Sequence, residues 1–73
     1  MNQAIKIGKL IKQARMDCGI SKIELAEGVD VTLSLVYKWE YGERTPPIVR
    51  LVKIIKFFRR YDEIYDAGYF LGF

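Results

Sequence analysis

The stretch VTLSLVYKWEYGERTPP (Val31–Pro47) decides how this chain folds. Val31, Leu33, Leu35, Tyr37 and Trp39 alternate with mostly polar neighbours, the pattern of a half-buried strand. The same residues also carry helix punctuation. Thr32 is suited to cap a helix start, Gly42 to end it, and Thr45-Pro46 to open the next. A strand needs at least one partner and usually two, and no second convincing period-two run exists in the chain. Wound as a helix, the segment turns Val36 and Trp39 inward with Val31 and Leu35 alongside, and it leaves no orphan sheet edge. The helical reading is therefore the expectation.

Upstream, Ile7, Ile11, Ala14 and Cys18 recur at steps of four, three and four, one face of a first helix. Lys6, Lys9, Lys12 and Gln13 fall largely on its wet side, and Gly19 suits the left-handed stop. Ser21-Lys22-Ile23-Glu24 forms a capping box for a second helix from Lys22 to about Gly28. Leu25, Ala26 and Val29 give that short helix an apolar face, so it depends on packing. Asp30, which tolerates a left-handed conformation, follows. Downstream, Thr45 is expected to cap a fourth helix with Pro46 at its first position. Ile48, Leu51, Val52, Ile55 and Phe58 form its expected buried face, and Arg50, Lys53, Lys56 and Arg60 its wet one. A fifth short helix is expected from about Tyr61 to Ala67, before the apolar tail Gly68-Tyr69-Phe70-Leu71-Gly72-Phe73.

With 73 residues, just over half of them hydrophobic, the chain has room for one modest core, and residues 1–73 read as a single domain. No uninterrupted apolar stretch approaches bilayer-spanning length, and no signal-peptide run follows Met1. The lone Cys18 has no disulfide partner, which fits a reducing, cytoplasmic setting. Without histidine, neither a Ser-His-Asp nor a Cys-His arrangement can be assembled, and zinc or haem sites have almost no ligands to draw on. No glycine-rich phosphate loop is present, so neither an enzyme, a metal site nor a cofactor is expected. The net charge is +3 and unevenly spread. Basic blocks occupy the first helix (Lys6, Lys9, Lys12, Arg15) and the fourth (Arg50, Lys53, Lys56, Arg59, Arg60). Glu24, Glu27, Asp30, Glu40 and Glu43 make the middle acidic, as Asp62, Glu63 and Asp66 do the end. The basic blocks suggest a polyanionic partner.

Two short helices joined by a tight turn, with one helix before and another after, describe a helix-turn-helix unit. ISKIELAEGVDVTLSLVYKWEYGERTPP followed by LVKIIKFF resembles the Cro and phage-repressor type of helix-turn-helix, the Xre-like family, over about Ile7 to Phe58. The matching parts are Ser21 with Glu24-Leu25-Ala26, the Val31-Thr32 entry, Lys38-Trp39-Glu40 with Gly42, and Pro46 with the apolar helix behind it. The resemblance implies an all-α fold, a compact four- to five-helix bundle of the lambda-repressor-like type. It also implies sequence-specific binding of double-stranded DNA by a transcriptional regulator, as a repressor and a homodimer, with the helix at about 32–41 as the reader.

The resemblance further assigns base contacts to Leu33, Ser34, Tyr37 and Lys38, and phosphate contacts to Lys22, Thr32, Tyr41, Arg44 and Thr45. Arg15 and Glu40 match a structural ion pair joining the first helix to the end of the third. The apolar tail supplies candidates for a dimer seam over residues 58–73: Ile64, Tyr65, Tyr69, Phe70, Leu71 and Phe73. Ile23, Leu33 and Leu35 are apolar where polar residues are usual for such a domain. They support an alternative, a protein-interaction module (antitoxin, antirepressor or regulator-inhibitor) built on the same scaffold.

Overall fold

In a computed structural model, which describes residues 3–72, the Val31–Pro47 stretch is helical over Leu33–Glu40. The Thr32 Oγ1 accepts from the Leu35 amide at 3.2 Å, satisfying one of the amides that a helix start leaves unpaired. Gly42, at φ 76°, takes the left-handed conformation that ends the helix. The element order is α1 (Gln3–Asp17), α2 (Lys22–Gly28), α3 (Leu33–Glu40), α4 (Ile48–Arg59) and α5 (Ala67–Leu71), with no strand among the described residues. Met1, Asn2 and the seam candidate Phe73 lie outside the described residues.

Both halves of the Ser21–Glu24 capping box are made, at 3.0 and 3.1 Å, fixing the start of α2. Asp30 sits at φ 59° in the turn between α2 and α3, where a short polar side chain tolerates what a branched one does not. Leu25, Val36 and Trp39 are buried from this pair of helices and meet Ile7, Ile11 and Ala14 of α1. The indole N–H of Trp39 has no acceptor among the described residues, so its burial rests on packing alone.

The contact between α1 and α3 is close enough to involve backbone. A Cβ on the buried Gly8 of α1 would overlap the Trp39 carbonyl oxygen. Beside it, the Arg15 Nε donates to Glu40 Oε2 at 2.8 Å and its Nη2 to Oε1 at 3.2 Å, a two-pronged pair in a buried setting. A third donor, Nη1, reaches the Ile20 carbonyl at 3.0 Å. Together these contacts set the pose of α3 against the body.

Three expectations need correction. The fourth helix starts at Ile48, capped by Pro47 rather than Thr45. A residue before proline is pushed out of the helical region, so both Thr45 and Pro46 are kept extended by the proline that follows each. The buried face of α4 is also rotated. Leu51, Ile54 and Phe58 point inward, whereas Ile48 is 67% and Val52 41% exposed, and Ile55 is only half-buried. Finally, residues 60–66 form turns, and the fifth helix begins only at Ala67. Two aspartates bring this about, since their side chains compete for backbone amides. Asp62 Oδ1 accepts from the Ile64 amide at 3.0 Å, and Asp66 Oδ1 from Tyr69 at 2.9 Å, the latter capping α5.

This short helix closes the core. Phe70 and Tyr65 are buried against Phe58, with ring centroids 5.9 and 5.7 Å away. Tyr65 and Phe70, two of the residues expected at a dimer seam, thus bury their side chains inside their own chain. Tyr69 and Leu71 also pack partly on that core, and Ile64 alone of the described candidates is mostly exposed.

Burial pushes the Tyr65 phenol from its ordinary 10.0 up to about 12, with Cys18, Asp17 and Tyr69 adding to the rise. Burial likewise raises the Tyr69 phenol and the Cys18 thiol, the latter from 9.0. In each case the folded state favours the neutral form, so its contribution is whole below the unfolded value and is lost as pH climbs to the folded one. Urea denaturation should accordingly show stability falling from about pH 9 to about pH 12. Tyr65→Phe should flatten the part above pH 10. An unchanged slope in that variant would refute the assignment to Tyr65.

Candidate nucleic-acid interface

An eight-residue helix with Val36 and Trp39 pointing inward must present Leu33, Ser34, Tyr37 and Lys38 on its other side, since residues four apart share a face. The structure brings these four together at the surface with Tyr41 one turn on. Leu33, Ser34, Tyr37 and Tyr41 are exposed, and Lys38 is half-buried. None of this face lies beneath the described residues of the C-terminal tail, whose Tyr65 and Phe70 pack on Phe58 instead.

Order on this surface comes from an array along its edge. The Lys22 ammonium sits 5.0 Å from the centroid of the Tyr37 ring, a cation–π contact across from α2 to α3. Tyr37 in turn stacks on Tyr41, with centroids 5.9 Å apart and planes 20° from parallel. The capping box holds Lys22 at the first turn of α2, so its ammonium is set down beside the outer face of α3. Leu33 and Ile23 line a shallow groove with Lys22 and Tyr37 between the two helices.

The other candidate residues fall around the ends of α3. Thr32 precedes it, exposed, with its hydroxyl oxygen engaged as the cap. Arg44 and Thr45 are exposed on the loop that follows, where the Glu43 and Arg44 amides both donate back to the Lys38 carbonyl, at 2.9 and 3.3 Å. Lys22, Thr32, Tyr41, Arg44 and Thr45 thus border the outer face of α3, while Arg15 and Glu40 lie beneath the surface.

Two features of the site went unseen in the sequence. The Tyr37–Tyr41 stack had a signal, aromatic residues four apart on a helix; the Lys22–Tyr37 contact had none, because it depends on how α2 crosses α3. The described residues include no cluster of side chains able to hold a metal ion. No described helix is long and apolar enough to cross a membrane.

Comparison with curated proteins and with solved structures finds no match. A helix-turn-helix family model matches residues 11–64, from the middle of α1 through α4 to Ile64. That span covers most of the chain and contains α2, the turn at Asp30 and the whole outer face of α3. The chain belongs to the helix-turn-helix family of the Cro and phage-repressor (Xre-like) type, and it is a DNA-binding regulator.

Proposed function

We propose that this regulator is a repressor that occupies an operator as a homodimer, with the outer face of α3 in the major groove of double-stranded DNA. The observation that carries the reading is the division of α3. Val36 and Trp39 anchor it completely, while Leu33, Ser34, Tyr37 and Lys38 remain together at the surface. In the groove, Lys38 would donate to guanine acceptors, Ser34 would bond either kind of base, Leu33 would pack on a thymine methyl, and Tyr37 would lie along the base edges. Lys22, Thr32, Tyr41, Arg44 and Thr45 would hold phosphates and set the register without reading sequence. Acting in this way, the domain would block polymerase by occupancy.

Selection of bound sequences from a random duplex pool tests the reading directly, with a palindrome expected. Affinity for random duplex should fall steeply with salt, as phosphate contacts release counterions. Lys38→Ala should weaken binding at the selected site by roughly 1–3 kcal/mol and leave nonspecific binding nearly intact. Equal affinity of variant and parent on both DNAs would remove Lys38 from the reading face.

A second reading draws on one observation: Ile23, 55% exposed, and Leu33 line the same groove. On that reading the scaffold is a protein-interaction module whose groove docks another protein. Leu35, by contrast, is half-buried against the core and offers such a partner little. Absence of DNA affinity even at low salt would favour this reading over the first.

A further inference from the structure

The end of α4 and the segment behind it carry two features that the α3 face does not use. One is a shallow cleft of about 290 Å³ between the end of α2 and α4. Gly28, Val29 and Phe57 form its apolar lining, and Lys53, Lys56 and Arg60 supply its cations, with Asp30 the one acid among its lining residues. Gly28 is what lets the Phe57 ring lie there, since a Cβ at that position would overlap the ring.

The other feature is a knob. Ile64 stands 60% exposed on a turn held by the Asp62 carboxylate, which accepts from the Ile64 amide, and by the Asp66 amide, which donates to the Ile64 carbonyl at 2.9 Å. The buried Tyr65 beside it anchors the turn, so Ile64 is presented in a fixed pose. Asp62, Glu63 and Asp66 surround it with negative charge. Among the described residues, none of the acids around Ile64 and none of the cations of the cleft is in an ion pair.

An apolar cleft rimmed by cations and an apolar knob ringed by carboxylates are complementary, and one chain carries both. We propose that Ile64 of one copy seats in the Phe57 cleft of a second copy, and the reverse, forming the seam of the homodimer. This inference rests on the homodimer in the function proposed above, and it moves the seam from the tail aromatics to residues 53–64. Reciprocity follows from position. Lys56 and Arg60 rim the cleft and also border a second shallow hollow with Glu63, the neighbour of Ile64, so cleft and knob lie side by side and a two-fold axis between them would satisfy both contacts at once. A DNA backbone would use the cations but leave Phe57 and Ile64 unmatched, whereas the acid-flanked knob engages both the cations and the apolar lining, with Asp30 alone left facing like charge. The charges favour encounter and make the contact weaken with salt.

Sedimentation equilibrium of the full chain at sub-millimolar concentration tests the assignment. The parent chain should show a monomer–dimer equilibrium that shifts towards monomer with added salt. Ile64→Glu should weaken association about tenfold or more, with the helical circular dichroism retained. Lys56→Glu and Glu63→Lys should each weaken it alone, yet an equimolar mixture of the two should recover dimer, because each cleft then faces a knob of opposite sign. A parent chain that stays monomeric overturns both the homodimer and its seam. A dimer indifferent to Ile64→Glu, or a mixture that fails to recover, overturns the seam alone.

Discussion

Glu40→Ala is expected to destabilise the fold by about 3–5 kcal/mol, because it leaves the Arg15 guanidinium buried without its counter-charge. Folded chains of this length have only about 4–11 kcal/mol to lose, so the variant should be largely unfolded by modest denaturant. Arg15→Ala should do at least as much damage, since it strands the more deeply buried partner: the Glu40 side chain is 1% exposed against 10% for Arg15. The intact pair need not be strongly stabilising, as its attraction and three hydrogen bonds are set against the cost of removing two charges from water. Replacing both with apolar residues of similar size, Arg15→Met with Glu40→Leu, should therefore recover much of the loss. Chemical denaturation of the two single variants and the double variant measures the coupling. A Glu40→Ala cost below about 1 kcal/mol, the range of an exposed pair, would show that the charges are effectively solvated.

Gly8→Val is the other change with a large expected effect, a loss of about 3 kcal/mol or more, at the upper end of overpacking. The side chain would meet the backbone carbonyl of Trp39 rather than a movable side-chain end, so α1 and α3 must part for it to fit. Gly8→Ala distinguishes this cause from local preference. Helix propensity by itself predicts that alanine adds about 1 kcal/mol of stability in the middle of α1. The close approach predicts a net loss, since even one methyl overlaps the carbonyl oxygen. A melting temperature raised by alanine would mean that the helices separate at little cost.

These two sites also show which parts of the molecule could be read in advance. The cap of α3 was legible because Thr32 and Gly42 act locally, and the capping box of α2 was legible for the same reason. The face of α4 was not. Apolar residues at 48, 49, 51, 52, 54, 55, 57 and 58 cover so wide an arc that periodicity permits more than one inward stripe, and only docking selects Leu51, Ile54 and Phe58. The Thr45 cap failed because two successive prolines delay a helix start that one would favour, and the fifth helix failed because two aspartates bonded the backbone into turns first. On the outer face of α3, the side to which each residue belongs followed from spacing, whereas the Lys22–Tyr37 contact required the angle between two helices. Gly8 carried a signal, a glycine inside a helical pattern, whose meaning lay in the helix opposite.

The family match stops at Ile64, yet the folding unit does not. With five residues, α5 is below any length that sustains a helix in water, so its order must come from the Asp66 cap and from the rings of Phe58, Tyr65, Tyr69 and Phe70. The Tyr65 and Phe70 rings in turn cover Phe58, so each side stabilises the other. The last turn is therefore a keystone rather than an appendage: melting of the C-terminus and melting of the interior should coincide as one cooperative event, and homology marks a narrower territory than cohesion does.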